Sequence, residues 1–201
     1  MNPTVLIFLK APVAGQVKTR IARDAGDEKA REIYQRLVTR QMAALPDGWP
    51  VEIHFTPANA EPQMRTWLGE PANWSFIPQV QSGLGERLVH ATIGAFERGA
   101  SAVILIGGDC PGLGEAEFGL AAQALARHDV VMGPTTDGGY YLLGMSAPRL
   151  ALFEDVAWST AAVADRTREI VQNQNWRHTE LPELSDVDTI EDWEALRDWC
   201  P

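Results

Sequence analysis

The segment from Val103 to Gly112 constrains the fold more than any other part of the chain. Its first four residues, Val-Ile-Leu-Ile, form an apolar and β-branched run that predicts a buried strand. Two glycines, Asp109, Cys110 and Pro111 follow, and the proline cannot extend the strand because it has no amide hydrogen to donate. Asp109 is therefore predicted at the carboxyl end of a strand, where open α/β sheets bind ligands. The alternative is a tight turn in which the aspartate caps its own backbone.

A second strand end carries the same combination of aspartate and glycine. Residues 130–134 form a short apolar run that ends in Gly-Pro, and Asp137 follows within Thr-Thr-Asp-Gly-Gly before the next strand-like run. If the two strands are parallel neighbours, Asp109 and Asp137 lie at one edge of one sheet. Mg²⁺ typically binds one or two protein carboxylates together with substrate phosphates, so this edge is a candidate metal site. For Asp137 the alternative is an Asp-Gly hairpin turn.

Strand and helix patterns alternate along the chain. The predicted strands lie near residues 5–9, 51–55, 74–77, 103–106, 130–133, 140–145 and 177–180, and the predicted helices near 28–45, 64–68, 88–96, 115–127, 161–173 and 189–199, with a loop over 10–23. This alternation is typical of right-handed βαβ units. We therefore predict a three-layer α/β/α sandwich around a mainly parallel sheet.

Length and charge exclude several classes of protein. A chain of 201 residues that is 45% hydrophobic can bury a core, and we expect a single domain over residues 1–201. The net charge of −10 and the scattered Lys and Arg residues argue against nucleic-acid binding, and no apolar run reaches membrane-spanning length. Cys110 and Cys200 are far apart and the start does not look like a leader, so we expect a cytoplasmic protein in which Cys110 is a packing residue.

The loop after the first strand concentrates positive charge in an otherwise acidic chain. Lys10, Lys18 and Arg20 lie within eleven residues of one another, and Gly15 between them allows a close approach of the backbone. Lys and Arg are the side chains that bind phosphates, so a phosphate site is indicated. The spacing matches neither a Walker A loop nor a dinucleotide fingerprint. A solvated basic turn is the alternative.

Two later segments leave alternatives open. Asp186 and Asp188 precede the last predicted helix, where Asp188 or Thr189 could be the N-cap, or where the carboxylates could bind a metal. Trp158 begins a Trp-Ser-Thr segment before another predicted helix. Its serine or threonine is a plausible N-cap, and the tryptophan could cover a ligand or pack in the core.

Six segments follow one another in order: Lys10-Ala-Pro-x-x-Gly15-x-x-Lys18-Thr-Arg20, Gly83-Leu-Gly85-Glu-Arg87, Gly108-Asp109-Cys-Pro-Gly-Leu, Gly-Pro-x-x-Asp137-Gly-Gly-Tyr-Tyr-Leu, Trp158-Ser-Thr and Asp186-Val-Asp188-Thr. Together they resemble a bacterial family of glycosyltransferase-A-type proteins, described as nucleotide-diphospho-sugar transferase-like. That family is similar in fold to the guanylyltransferases of phospholactate and molybdenum-cofactor synthesis. The resemblance covers nearly the whole chain.

The resemblance implies a nucleotide-binding half over about residues 1–112 and an acceptor-side half over about 113–201. The residues that it implies in nucleotide binding are Lys10, Gly15, Lys18, Arg20, Gly83, Gly85, Arg87 and Gly108. Asp109 takes the place of the metal-binding aspartate. The fold usually carries Asp-x-Asp there, whereas this chain has Gly-Gly-Asp-Cys-Pro, so a second ligand has to come from Asp137 or from Asp186 and Asp188.

The leading hypothesis is metal-assisted transfer from a nucleotide-activated donor, with magnesium or manganese as the cation. Asp109, Asp137 and Asp188 are its expected ligands, Lys18 and Arg20 add positive potential, and Asp137 is alternatively the base. Attack at the sugar carbon gives glycosyl transfer, whereas attack at an α-phosphorus gives nucleotidyl transfer with release of pyrophosphate. The missing second aspartate also leaves open a nucleotide-binding protein without turnover. Expected partners are a nucleotide-diphospho-sugar or nucleoside triphosphate and a small-molecule acceptor.

Overall fold

The computed structural model describes residues 2–196, and within them seven strands form one sheet. The strands are β1 (Thr4–Lys10), β2 (Val51–Thr56), β3 (Trp74–Pro78), β4 (Val103–Ile106), β5 (Val130–Pro134), β6 (Tyr140–Met145) and β7 (His178–Glu180). Their order across the sheet is β3-β2-β1-β4-β6-β5-β7. Only β6 runs against the others in this part of the chain, so the prediction of a mainly parallel sheet is confirmed.

Helices cover both faces of the sheet. They are α1 (Thr19–Ala25), α2 (Asp27–Ala43), α3 (Glu61–Leu68), α4 (Leu84–Glu97), α5 (Glu115–Leu125), α6 (Val163–Asn173) and α7 (Ile190–Leu196). The apolar faces of α2, α3 and α5 form one core with the sheet, and those of α4 and α6 form a second core on its other side. The three predicted layers are therefore present. None of the described helices is long and apolar enough to cross a membrane.

Alternation along β1 supplies both cores. Val5 and Ile7 point into the first core and Leu6 into the second, and all three are fully buried. Successive side chains of a strand point to opposite faces, so a central strand covered on both sides has to be apolar at nearly every position. This explains why β1 reads in the sequence as a continuous apolar run.

Strand β6 lies where direct pairing of β4 with β5 was considered from the sequence. The inference that Asp109 and Asp137 share one edge was conditional on β4 and β5 being parallel neighbours, but β6 lies between them and pairs antiparallel with both. A hairpin needs only a short turn, here residues 135–139, so the strand after β5 folds straight back beside it. Because β4 and β5 still run in the same direction, their carboxyl ends meet at one edge of the sheet. Asp109 and Asp137 therefore reach the same edge although β4 and β5 are not direct neighbours.

Two helix starts also differ from expectation. The predicted loop over 10–23 contains most of α1, which begins at Thr19. Helix α6 begins at Val163 without a side-chain cap, so Ser159 and Thr160 are not its N-cap. Instead, the Thr160 hydroxyl donates to the carbonyl of Ala157 at 2.7 Å and closes a separate turn ahead of the helix.

The start of α7 settles a choice that the sequence left open. The Thr189 hydroxyl accepts from the amide of Asp192 at 3.2 Å, while the Asp192 carboxylate accepts from the amides of Thr189 and Asp188 at 2.8 and 3.0 Å. Thr189 is therefore the capping residue, in a reciprocal arrangement that satisfies the first amides of the helix. The Asp188 carboxylate is left for other partners. The predicted end of this helix at Trp199, like Cys200, lies outside the described residues.

Candidate functional site

Two adjoining cavities open at the carboxyl edge of the sheet. Cavity A has a volume of about 660 Å³ and lies beside the ends of β1 and β2, with Lys10, Thr56 and Arg87 among its walls. Cavity B has a volume of about 570 Å³ and is lined from the other side by residues that include Tyr140 and Trp158. Asp109 and Asp188 line both cavities, so they mark the boundary between them. This is the edge at which open α/β sheets bind ligands.

The ammonium group of Lys18 lies between these two carboxylates. Its Nζ is 2.9 Å from Asp109 Oδ2 and 3.1 Å from Asp188 Oδ1, and the Lys18 side chain is only 8% exposed. Burial lowers the pKa of Lys18, but attraction to Asp109 and the hydrogen bond donated to it, followed by those of Asp188, outweigh burial, so the pKa is raised. The ammonium therefore stays charged and joins segments that lie far apart in the chain.

The backbone of Lys18 is in the left-handed region, with φ at +44°. This conformation is unfavourable for a residue with a β-carbon and persists only where surrounding contacts hold it. Lys18 immediately precedes α1, and the turn at this point directs its side chain inward while the helix continues away. The neighbouring Arg20 behaves differently, because its side chain is 65% exposed and its Nη1 is 2.7 Å from Asp188 Oδ2.

Asp186 is the most unusual carboxylate of the site. Its Oδ1 is buried and has no hydrogen-bond partner among the described residues. Burial raises the pKa of Asp186 to about 7, and the negative charges of Asp109, Asp137 and Asp188 act in the same direction, while Lys18 opposes them. The sequence singled out Asp186 only as one of two late candidates for a metal ligand. Its burial depends on the packing around it, which no local pattern reveals.

Asp137 lies on the wall of cavity B and also organises the hairpin between β5 and β6. Its Oδ1 accepts a hydrogen bond from the Thr135 hydroxyl at 2.6 Å and from the amide of Gly139 at 3.0 Å. The Asp-Gly hairpin turn considered from the sequence is therefore present at Asp137. The second oxygen, Oδ2, receives no hydrogen bond from the described residues, so the carboxylate can serve the turn and face a ligand at the same time.

The predicted glycines fall into two groups. Gly108 lines cavity A, and a β-carbon there would lie 2.6 Å from Leu9 Cδ2, so the core beneath it leaves no space for a side chain. Gly15, Gly83 and Gly85 are absent from the walls of both cavities. Gly15 has φ of +77°, and it lies against the Asp27 carboxylate at the start of α2.

Gly83 and Gly85 belong to the start of α4. Gly83 is the N-cap residue of the helix, and Gly85 packs against Trp158, whose indole forms part of the wall of cavity B. Gly85 therefore shapes the site from behind, and neither glycine lines it. Arg87, from the same segment, does line cavity A.

Residues 38–160 match the sequence profile of a family described as "Uncharacterized protein conserved in bacteria (DUF2064)". The chain belongs to this DUF2064 family. The match covers more than half of the sequence, including four of the six segments that suggested a family, and the resemblance drawn from them is confirmed. No protein with a curated description matches the chain.

Solved structures similar to this DUF2064 chain extend the comparison. One is a protein from Desulfovibrio desulfuricans G20 described as a "putative nucleotide-diphospho-sugar transferase", 31% identical, with a TM-score of 0.89 over 98% of this chain and 87% of that one. A second is CMP:2-keto-3-deoxy-manno-octonic acid synthetase complexed with CTP, 14% identical, with a TM-score of 0.59 over 98% and 97%. A third is Rv0371c from Mycobacterium tuberculosis H37Rv in complex with manganese, 13% identical, with a TM-score of 0.57 over 98% of both chains. The last two share the fold.

In the DUF2064 site, Asp109 and Asp188 are the carboxylates that could hold a hard cation such as Mg²⁺ or Mn²⁺. The described residues contain no group of three or more His, Cys, Asp and Glu side chains placed to hold a metal, so Asp109, Asp137 and Asp188 do not converge as one ligand set. Asp109 and Asp188 do face a common point, which the Lys18 ammonium occupies, and the unpartnered oxygen of Asp186 is nearby. Two carboxylates suffice for Mg²⁺ or Mn²⁺ when substrate phosphates complete the coordination.

Two residues of cavity A were missed by sequence reasoning. Gln79 donates from Nε2 to the His54 carbonyl at 2.6 Å and to the Leu9 carbonyl at 3.3 Å, and its Oε1 accepts from Arg87 at 3.3 Å. It therefore connects the ends of β1 and β2 and orients Arg87. A polar residue directly after β3 was the available signal, of the same kind as Asp109 after β4.

Tyr34 is the second missed residue. Its hydroxyl donates to the Lys10 carbonyl at 3.0 Å and accepts from the Lys10 amide at 2.9 Å, while its ring packs 5.8 Å from that of Trp67. Burial raises the pKa of Tyr34 well above its ordinary value, so the hydroxyl stays neutral. In the sequence Tyr34 looks like one more apolar position of α2. Its contact with the end of β1 is decided only by packing.

Cys110 is buried next to the carboxylates. Burial, with Asp186 as the next cause, raises the pKa of its thiol far above the ordinary value. Since the thiolate is the nucleophilic form, this environment suppresses reactivity. The structure therefore places Cys110 where a packing residue would be expected.

Proposed function

We propose that this chain is a metal-dependent transferase that moves a glycosyl group from a nucleotide-diphospho-sugar to a small-molecule acceptor. The observation that carries the proposal is the position of Lys18 between Asp109 and Asp188, at the boundary of cavities A and B. Lys18 from the start of the sequence, Asp109 from its middle and Asp188 from near its end meet there. Transfer of a group away from a diphosphate needs positive charge to stabilise the leaving diphosphate, and carboxylates can hold a cation that adds to it. The order of the segments along the chain supports the same assignment.

Cavity A is the proposed donor side. The positively charged residues on its wall are Lys10, Lys18, Arg20 and Arg87. Its volume of about 660 Å³ is in the range of small-molecule and cofactor sites. All of its lining residues except Ser159 and Asp188 come from the first 112 residues, which supports a nucleotide-binding half over residues 1–112 within a single domain of 1–201.

The basic side chains of cavity A would hold the diphosphate and stabilise the charge that develops on it as it leaves. A divalent cation, when bound by Asp109 and Asp188, would supply further charge neutralisation at the diphosphate. Arg87 is oriented for phosphate binding by Gln79 and by the Ser82 carbonyl, to which its Nε donates at 2.7 Å. Asp137 would accept the proton of the attacking hydroxyl through Oδ2, the oxygen that the hairpin does not use.

Cavity B is the proposed sugar and acceptor side, and its charge favours an acceptor that attacks through a neutral hydroxyl. Four aspartates line it, at positions 109, 137, 186 and 188, and Arg20 is the one basic residue among its described lining residues. A nucleotidyl acceptor that attacks through a phosphate or carboxylate oxygen would meet this excess of negative charge. A neutral hydroxyl compound would not. Phe8 and Trp158 add aromatic surface of the kind against which a sugar ring packs.

The relatives support the proposal at a coarser level. The Desulfovibrio desulfuricans protein is described as a "putative nucleotide-diphospho-sugar transferase", CTP is bound in the octonic acid synthetase, and manganese is bound in Rv0371c. A nucleotide and a divalent cation are thus each bound by one protein that shares this fold. The alternative reaction is nucleotidyl transfer, and the experiment below distinguishes it from glycosyl transfer by its products.

The test has a binding arm and a product arm. Calorimetric titration with UDP, GDP and CDP, each with and without Mn²⁺, identifies the base and the metal dependence. Incubation with the matching nucleotide-sugars and nucleoside triphosphates then distinguishes the reactions. Release of the nucleoside diphosphate with loss of the sugar supports glycosyl transfer, and pyrophosphate from a triphosphate shows nucleotidyl transfer instead. Metal-dependent binding without either product indicates a binding protein without turnover.

Asp109→Asn tests the site itself. The variant should weaken metal-dependent nucleotide binding by about tenfold or more, because one charged metal ligand becomes neutral. Asp165→Asn is the matched control, since Asp165 is 77% exposed and forms a surface pair with Arg168. Unchanged binding in Asp109→Asn would show that the proposed role of this carboxylate is wrong.

A further inference from the structure

The Lys18 ammonium lies at the point from which a cation would contact both Asp109 and Asp188. We propose that Lys18 closes the cation site of the ligand-free protein, and that the diphosphate of a nucleotide opens the site by drawing this ammonium away. Nucleotide and divalent cation then bind in a coupled manner, and the coupling passes in part through a single side chain. This inference rests on the proposed function, because it assumes that nucleotide and cation share this site.

Distance shows why the ammonium and the cation exclude each other. Lys18 Nζ is 2.9 Å from Asp109 Oδ2 and 3.1 Å from Asp188 Oδ1, whereas Mg²⁺ binds carboxylate oxygens at about 2.1 Å. A cation on these same two oxygens would lie next to the ammonium in a partly buried place. Like charges repel strongly at such a separation where water screens them poorly. One of the two has to leave.

Burial shows why Lys18 does not leave by itself. Its side chain is 8% exposed, and the structure gives its ammonium two hydrogen-bond partners, Asp109 and Asp188. Moving the charge away from both without another anion would leave a poorly solvated ammonium. Arg20 is a useful contrast, because its side chain is 65% exposed and water can replace Asp188 as its partner. The buried ammonium of Lys18, more than the exposed Arg20, therefore opposes the binding of a cation.

A phosphate provides the missing anion. Lys18 lines cavity A, the proposed diphosphate site, so its ammonium can exchange carboxylates for phosphate oxygens without entering bulk water. The exchange frees Asp109 and Asp188 beside Asp186, whose Oδ1 has no partner in the described structure. These carboxylates then need a new positive charge. The site that loses the ammonium is therefore the site that attracts the cation.

Linkage makes the proposal quantitative. A ligand that raises the affinity of a second ligand has its own affinity raised by the same factor. In any nucleotide site, direct attraction between the cation and the phosphates contributes to this change in affinity. The contribution of Lys18 is therefore isolated by measuring the affinity for the cation in the absence of nucleotide. Removing the ammonium should tighten the binding of Mn²⁺ without nucleotide by about tenfold, within the usual range of such couplings.

The experiment measures Mn²⁺ binding by electron paramagnetic resonance in the full chain without nucleotide. Lys18→Met removes the ammonium and keeps an apolar stem, and Lys18→Gly removes it while suiting the left-handed backbone at φ of +44°. Lys29→Met is the matched control, because Lys29 is half exposed and pairs with Glu32 on the surface of α2. Both Lys18 variants should bind Mn²⁺ about tenfold more tightly than the wild type and Lys29→Met. In the wild type, the nucleoside diphosphate found to bind should tighten Mn²⁺ binding.

The outcomes separate this inference from the proposed function. If the wild type binds Mn²⁺ with nucleotide but the Lys18 variants gain nothing for Mn²⁺ alone, the gating role of Lys18 is wrong and the transferase proposal stands. If Mn²⁺ binds the nucleotide-free wild type as tightly as the nucleotide-bound protein, gating is also excluded, without use of any variant. If no form binds Mn²⁺ in either state, both proposals fail.

Discussion

A β-carbon on Gly85 would lie 2.9 Å from Nε1 of Trp158 and 3.0 Å from the carbonyl oxygen of Phe153. The first turn of α4 therefore approaches the indole at a distance that only glycine allows. Trp158 is half-buried and forms part of the wall of cavity B. Gly85 acts on the candidate site through this contact and is not itself part of the wall of either cavity.

Gly85→Ala should displace the indole of Trp158 and weaken binding of the sugar part of the donor. Overpacking of this kind costs typically 1–3 kcal/mol, which corresponds to a loss of about tenfold in affinity if it falls on the bound state. Calorimetric titration should show weaker binding of the nucleotide-sugar, with the nucleoside diphosphate alone little affected. Gly119→Ala, at a helical position of α5 where a β-carbon meets nothing within 4 Å, is the control. Equal affinities of Gly85→Ala and the wild type would contradict the prediction.

Asp186 makes the stability of the ligand-free protein depend on pH. Burial, reinforced by Asp109, raises its pKa from 3.8 to about 7, so the folded state binds a proton more tightly than the unfolded chain does. Stability therefore falls as pH rises from about 4 to about 7, by a few kcal/mol for a shift of this size. Asp186→Asn removes the titration. Its melting temperature should exceed that of the wild type at pH 8, and the difference should shrink at pH 4.

Urea denaturation at pH 4, 6 and 8 measures that difference directly. A constant difference between Asp186→Asn and the wild type at all three values would exclude titration of this carboxyl as the cause. Asp165→Asn serves again as the exposed control and should show little change at any pH.

A polar cluster of the buried Glu52 and His54 with the half-exposed Arg98 supports Phe8, which lines both cavities. Glu52 accepts from Arg98 at 2.7 and 2.8 Å and lies 3.1 Å from His54 Nε2, and the His54 ring stacks on Phe8 with centroids 5.1 Å apart. Burial raises the pKa of Glu52, but the hydrogen bonds from His54 and Arg98 outweigh it, so the pKa is lowered. The stability that this carboxylate contributes is thus present above its ordinary pKa of 4.5 and is lost as pH falls through the lowered value.

Glu52→Gln should lower the free energy of unfolding at pH 7 by about 2 kcal/mol, because a charged acceptor of buried hydrogen bonds is lost. The difference from the wild type should decrease as pH falls through the lowered pKa of Glu52, because the wild-type carboxylate then becomes protonated. Chemical denaturation at pH 7 and pH 3 is the measurement. Glu32→Gln, on the exposed surface of α2, should leave stability nearly unchanged. A Glu52→Gln protein as stable as the wild type at pH 7 would show that the cluster does not stabilise the fold.

Thr189 caps the helix that follows Asp188. Thr189→Ala removes the hydroxyl that accepts from the Asp192 amide, and a lost N-cap typically costs about 1 kcal/mol. Chemical denaturation should show this loss. Thr66→Ala, which removes an exposed hydroxyl bonded to a carbonyl within α3, should cost less. A larger loss in Thr66→Ala than in Thr189→Ala would be evidence against the capping role.

Local patterns were sufficient for the elements and for part of the site. Apolar runs that end in glycine and proline placed β4 and β5, and they put Asp109 and Asp137 at the carboxyl ends of strands, because strand period and turn chemistry are properties of neighbouring residues. The basic loop after β1 was identifiable in the same way, through its contrast with an acidic chain. These features, with the alternation of strands and helices, predicted the three layers and the edge that carries the candidate site.

Tertiary structure alone decided which of these residues meet. The insertion of β6 between β4 and β5, the enclosure of Lys18 by Asp109 and Asp188, and the burial of Asp186 all join segments far apart in sequence. Such contacts depend on the packing free energy of the whole sheet and its helices, and no stretch of neighbouring residues encodes them. Sequence by itself thus determined where the carboxylates end their strands, and only the folded chain determined that a lysine lies between two of them.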